Sequence, residues 1–259
     1  MSYFDTKSSQ SCKKCRKKVG KVAKITAKRL EKLQKVTIIW VEKLQIRGMG
    51  ARTMKIKMCG ITTPADVAAV NEVRPDYIGM VMYFPKSKRN VSAETARDLL
   101  ADLRGDVQKV AVVVSPVAEQ IAEISELGFD VIQIHGQIED EIIESSHLPV
   151  WKAFNVKDMD MYPHYQSIEN ITGYVFDAGE PGSGKTFDWN SLADIERDGR
   201  LFVLAGGLTP DNVERAINQI QPDVVDVSSG IEYDAVGGVQ KPGKDPEKMR
   251  RMKKNATRG

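Results

Sequence analysis

From residue 54 onward the chain alternates between two hydrophobic periods. Short apolar runs rich in Val and Ile fall at 56–61, 77–82, 109–115, 131–136, 150–156, 174–179, 201–207 and 224–230. They have the length of ordinary strands, and their near-continuous apolar character predicts strands buried on both faces of a parallel sheet. Between them lie segments with the spacing of amphipathic helices, at 65–73, 93–103, 117–127, 211–220 and 246–255, with a weaker one at 159–168 interrupted by Pro163. Thr63-Pro64, Ser115-Pro116, Thr209-Pro210 and Asp245-Pro246 each place a capping side chain before a proline suited to the first helical position. Eight strand–helix units in about 205 residues predict an α/β fold of the (β/α)8 TIM-barrel type, a single domain over 54–259. An open, doubly wound sheet is the alternative, because periodicity does not report closure.

The first 53 residues are a different kind of sequence. They hold 15 of the 38 Lys and Arg but three of the 35 Asp and Glu, a net of +12, which leaves 23 basic and 32 acidic residues, net −9, for the rest. Four readings fit this basic extension: an arm for nucleic acid or an anionic membrane, an acid-poor transit segment, half a zinc site at Cys12 and Cys15, or an appendage ahead of a native Met54. The zinc site lacks a second pair of ligands. The appendage reading is preferred, because the first strand begins directly after Met54. Leu33, Val36, Ile39, Trp40 and Leu44 would form one face of a helix there. With 41% hydrophobic and 28% charged residues the chain as a whole is of globular type. No apolar run reaches the length of a membrane span, and three unevenly placed cysteines make no disulfide framework, so a reducing, cytoplasmic setting is expected.

In a closed parallel barrel the carboxyl ends of the strands share one face, where such folds keep their chemistry. That rule gathers Cys59 after strand one, Arg89 in the loop after strand two, His135 after strand four and Asp177 after strand six. Gly206 and Gly207 follow strand seven, and Ser228, Ser229 and Gly230 follow strand eight. Taken singly, each has an ordinary explanation: a core cysteine, a satisfied histidine, a turn aspartate, a solvated arginine. Their shared position favours function. The glycines and serines of the last two loops suit a phosphate, so the expected partner is a phosphorylated small molecule. One motif points elsewhere: 179–186 satisfies the P-loop pattern G-x-x-x-x-G-K-[ST] after a strand. Phe187-Asp188-Trp189-Asn190 follows instead of an immediate helix, and only two strands remain to build a nucleotide-binding sheet. The segment is read as a glycine-rich loop over the site.

Several stretches together resemble the phosphoribosylanthranilate isomerase family. They are Lys57-Met58-Cys59-Gly60-Ile61-Thr62, Pro85-Lys86-Ser87-Lys88-Arg89, Gln133-Ile134-His135-Gly136, and Gly182-Ser183-Gly184-Lys185-Thr186-Phe187-Asp188-Trp189. Ala205-Gly206-Gly207-Leu208-Thr209-Pro210-Asp211-Asn212-Val213, Asp226-Val227-Ser228-Ser229-Gly230-Ile231-Glu232 and Pro242-Gly243-Lys244-Asp245 complete the set. The resemblance implies a (β/α)8 barrel and an Amadori rearrangement in tryptophan biosynthesis, with Cys59 as base and Asp177 as acid. It implies Arg89 on the anthranilate carboxylate, Gly207, Ser228 and Ser229 on the phosphate, and Asp226 and His135 at the ribose or bracing the site. It calls for no metal or redox cofactor. The expected partner is the phosphorylated substrate rather than a membrane or nucleic acid, and a monomer or homodimer is expected. For these roles Asp177 needs a raised pKa and Cys59 a nearby cation. The chain departs from the family at Met58, in a longer loop after strand two, and in an insertion over 233–240 beside the phosphate loops. The rivals are an isomerase of another phosphosugar, a P-loop nucleotidase, and a non-enzymatic polyanion binder working through the leader.

Overall fold

All eight expected strands form. In chain order they are β1 (Lys55–Cys59), β2 (Tyr77–Met82), β3 (Gln108–Val114), β4 (Val131–His135), β5 (Val150–Asn155), β6 (Ile171–Asp177), β7 (Leu201–Ala205) and β8 (Val224–Val227). Each pairs in parallel with its sequence neighbours, and β1 pairs with both β2 and β8, so the sheet closes. The open-sheet alternative is thereby excluded. Asn90–Val91 adds a two-residue parallel pair to the end of β2. The computed structural model describes residues 54–177, 189, 192 and 195–258, all within one compact unit, Thr53–Gly259. The basic extension, Cys12 and Cys15, the 30–44 helix and the 179–186 motif lie outside the described residues.

Seven helices are described: α1 (Pro64–Val73), α2 (Ala93–Ala101), α3 (Ala118–Glu126), α4 (Asp140–Glu144), α5 (Tyr162–Tyr165), α6 (Val213–Ile220) and α7 (Pro246–Ala256). Two of the four expected starts hold. Thr63 caps α1 in a reciprocal capping box with Asp66, and Asp245 caps α7 by accepting from Glu247 and Lys248 N–H. The other two do not. Ser115 sits at φ 45°, turning the chain out of β3, and α3 begins only after Val117, whose N–H donates to Gln120. Thr209 is held by Asn212, which accepts from its N–H at 2.8 Å while donating to Gly207 O at 2.9 Å, so α6 begins at Val213. The asparagine pins the glycine loop, and the helix waits for it. In place of a helix over 159–168, a 3-10 segment Val156–Met161 leads into α5, with Pro163 in its first turn where a proline is tolerated.

The strands alternate between two cores. Tyr77, Val110, Val112, Val131, Trp151, Val175, Val203 and Val224 fill the barrel interior, closed at its lower end by the edge-on pair Tyr77–Trp151. Ile56, Met58, Ile78, Met80, Ile132, Phe154, Phe176 and Leu204 face outward under the helices. The register puts Asn155 beside Asp177 and Asp177 beside Ala205, which levels the upper rim of the barrel.

Candidate active site

Period-two alternation settles which side chains reach the mouth. Cys59 ends β1 facing inward, and Lys57, two residues earlier, faces the same way. Lys57 is fully buried and donates to Asp226 Oδ2 at 2.7 Å, its neighbour across the β1–β8 ladder. A Cβ on Gly79, opposite Cys59, would come within 2.7 Å of Cys59 Sγ and 3.1 Å of Lys57 Nζ, so the thiol and the ammonium share the space this glycine leaves open. Burial alone would lower the Lys57 pKa; Asp226 and Cys59 raise it above the ordinary value, so the ammonium is charged. Burial pushes the Cys59 thiol up, more than the charges of Lys57 and Lys244 bring it down, and Asp226 adds to the rise. The expected cations are present beside the thiol, but in the free protein burial prevails.

Cys59, Arg89, His135, Asp177, Gly206, Gly207, Asp226, Ser228 and Ser229 all line one cavity of about 450 Å³ above the barrel. Gly230 lies just outside it, lining a neighbouring hollow with Gly207 and Ser229. A Cβ at Gly230 would fall 2.0 Å from Leu208 O, so the loops after β7 and β8 touch backbone to backbone. Gly206 and Gly207 have φ of 89° and 63°, a region open to glycine, which lets main-chain amides approach a ligand without side chains between.

His135 is neutral, held down to about 4 by burial and by the charges of Lys57 and Lys152. Its Nε2 accepts from Gln133 Nε2 at 2.8 Å. Gln133, unmarked in the sequence, faces inward two residues before it. Gln133 Oε1, Asn155 Oδ1 and Asp226 Oδ1 are buried without a protein donor, and their three residues line the same cavity. Unpaired buried acceptors are costly, and a polyhydroxylated ligand brings the donors they lack.

Arg89 does not stand free. Its Nε donates to Glu232 Oε1 at 2.6 Å, Lys88 donates to Glu232 Oε2 at 2.9 Å, and the buried Lys244 approaches at 3.4 Å. Burial tends to raise the Glu232 pKa, but the bonds from Lys88 and Arg89 and the charge of Lys244 bring it to about 2. Lys244 also donates to Ser228 O at 3.1 Å, and Ser228 Oγ donates to Cys59 O at 3.1 Å. Its own N–H donates at 2.6 Å to Asp66, whose carboxylate also binds the N–H groups of Thr62 and Thr63. The first and last loops are thus tied through one buried carboxylate. The 233–240 insertion forms a small hairpin: Val236 and Val239 exchange hydrogen bonds around Gly237 and Gly238, both at positive φ. Gln240 anchors it to Glu232 and Lys88.

Residues 56–255 match the family model described as N-(5'phosphoribosyl)anthranilate (PRA) isomerase. A relative of that name from Thermoanaerobacter sp. (strain X514) is 36% identical over 203 residues, 76% of this chain and 98% of the relative. The solved phosphoribosyl anthranilate isomerase from Thermotoga maritima superposes with a TM-score of 0.67 at 34% identity, over 78% of this chain and 98% of that one. A structure of phosphoribosyl anthranilate isomerase in complex with reduced 1-(o-carboxyphenylamino)-1-deoxyribulose 5-phosphate superposes at 0.65 with 32% identity, over 78% and 98%.

Proposed function

The chain belongs to the N-(5'-phosphoribosyl)anthranilate isomerase family, and from that membership we propose that its barrel mouth carries out the Amadori rearrangement with Cys59 as base and Asp177 as acid. The activity is the isomerisation of N-(5'-phosphoribosyl)anthranilate to 1-(2-carboxyphenylamino)-1-deoxyribulose 5-phosphate, in tryptophan biosynthesis. The observation that carries the assignment of roles is the convergence of a thiol, a carboxyl and a phosphate-type loop pair on one cavity large enough for a small substrate.

Asp177 gives its proton to the ribose ring oxygen; the C1'–O bond breaks and the anthranilate nitrogen shares the positive charge of the open-chain iminium. As the iminium forms, the Cys59 thiol releases its own proton to solvent; the thiolate then takes the C2' hydrogen as a proton, the C–H electron pair forms the C1'–C2' double bond while the iminium pair returns to nitrogen, and the resulting enol-amine tautomerises to the ketone. No atom is lost or gained. The raised thiol pKa suits this order: the iminium forming beside Cys59 lowers the cost of the thiolate just when it is needed. Lys57 is the fixed countercharge beneath it, held by Asp226. Each proton-transfer role is worth about 10²–10⁴ in rate.

Gly206, Gly207, Ser228, Ser229 and Gly230 take the phosphate, and the ribose hydroxyls meet Asp226, Gln133 and Asn155. The Arg89 edge not used by Glu232 takes the anthranilate carboxylate. His135, neutral and bonded to Gln133, braces the wall. Residues 54–259 constitute the catalytic barrel and the 53 before it an extension without a part in turnover, acting in the cytoplasm. The Thermotoga maritima protein is described as dimeric and has been obtained as monomers, and a monomer or homodimer is the expected form here. The test is single-turnover conversion of substrate carrying hydrogen or deuterium at C2'. Slower ketone formation with deuterium supports the assignment; no product, or equal rates with chemistry isolated, overturns it.

A further inference from the structure

Lys152 does not line the barrel mouth, although its charge reaches His135. It sits on β5 between Trp151 and Ala153, which point into the barrel, and so faces the helical layer with Phe154. It is 3% exposed. Its Nζ lies 4.9 Å from the Phe154 ring centre and 4.8 Å from that of Tyr165, and donates to Ala153 O at 2.9 Å. Three lysines are buried among the described residues, and the other two have carboxylates, Lys57 at Asp226 and Lys244 at Glu232. No described carboxylate stands within ion-pair distance of Lys152; Asp158 acts on it only through space. An ammonium carries three donors, and one is used. The two aromatic faces offset part of the cost of burying this cation, but no described carboxylate does.

Lys152 also lines a cleft of about 660 Å³ on the shoulder of the barrel, within the usual range for small-molecule sites. Phe154, Tyr165, Ile138, Ile142 and Met161 give it apolar walls, while the exposed Glu139 and Asp158 stand at its edge. We propose that this cleft is a second ligand site, for a small aromatic monocarboxylate whose ring lies on the apolar walls and whose carboxylate reaches the Lys152 ammonium. Charge complementarity selects the class: among the described residues, the buried lysine that lacks a carboxylate lies inside, and the acids stand outside. A second anionic group on the ligand would meet Glu139 and Asp158 and be rejected. Burial holds the Lys152 pKa down to about 8, with Asp158 offsetting it in part, as befits an ammonium whose partner is supplied by a ligand.

Benzoate is the probe and benzamide its neutral isostere, titrated calorimetrically into the full chain, into Lys152→Met, into Ile142→Trp, which fills the cleft, and into Arg89→Met. The proposal expects benzoate to bind at least tenfold tighter than benzamide. Lys152→Met should abolish that preference at the cleft, Ile142→Trp should remove binding of both there, and Arg89→Met should leave this Lys152-dependent binding unchanged. Because Ile142→Trp keeps Lys152, loss of binding there does not depend on removing the lysine. Equal affinity for the two probes, benzoate binding undiminished in Lys152→Met or Ile142→Trp, or loss in Arg89→Met alone overturns the proposal; the last places benzoate in the barrel mouth.

Discussion

Gly79 shows how one missing methyl can matter at the scale of a residue. Its backbone is ordinary, so alanine costs nothing in conformation, yet the added Cβ would press on Cys59 Sγ at 2.7 Å and Lys57 Nζ at 3.1 Å. Gly79→Ala is expected to lower kcat at least tenfold while shifting the thermal midpoint by a few degrees, about 1–3 kcal/mol as for other overpacked cores; steady-state kinetics beside calorimetry separates the two. Lys57→Met leaves Asp226 buried and uncompensated, a loss of about 3–5 kcal/mol, and moves the thiol limb of the pH–rate profile upward. Adding Asp226→Asn is expected to restore much of the stability but not the rate. The sequence marks Cys59 by its place at a strand end. It hides Lys57, because charged residues are rarely fully buried without a partner, and the partner lies 169 residues away on β8. Alternation from Cys59 is the clue that would have placed it.

At the scale of elements, the eight strands were legible because each is buried on both faces and so reads as a continuous apolar run. Loop geometry was less so. Ser115 and Thr209 carry the residue types of helix caps but serve turns, since the side chains of Gln120 and Asn212 reach the backbone first. The hairpin within 233–240 did have a signal, a Gly-Gly pair between two valines, which is a hairpin signature in its own right. Its anchor, Glu232, gathers Lys88, Arg89 and Lys244. Because its pKa is depressed from 4.5 to about 2, the unfolded carboxylate binds a proton first as pH falls. The stabilisation, about 3 kcal/mol before solvent screening reduces it, is therefore full above about pH 4.5 and lost as pH falls through about 2. Denaturant unfolding of Glu232→Gln is expected to show a deficit at pH 7 that closes toward pH 2, together with a raised KM as the Arg89 fork loses its hold.

For the molecule as a whole, the buried charges decide the pH range of stability. Lys152 has a folded pKa near 8 against an ordinary 10.5, so between those values the unfolded chain holds a proton that the folded chain does not. Stability from this group therefore rises with pH across that window. At pH 7 its burial costs about 3 kcal/mol at most, so Lys152→Met is expected to be the more stable protein there, with an advantage that shrinks as pH approaches 10; chemical unfolding of the two proteins side by side checks it. The same charge balance separates the buried lysines: Lys57 and Lys244 have carboxylates, and Lys152 has none among the described residues.

The most direct measurement of the whole account is turnover of N-(5'-phosphoribosyl)anthranilate by the full chain, by Cys59→Ser and by Asp177→Asn, with binding of the reduced product analogue followed in parallel. Brisk conversion by the first is expected, with a fall in kcat of about 10²–10⁴ in each variant and analogue affinity within a few-fold of the parent in all three. Turnover retained in either variant, or a folded full chain that leaves the substrate unchanged, contradicts it.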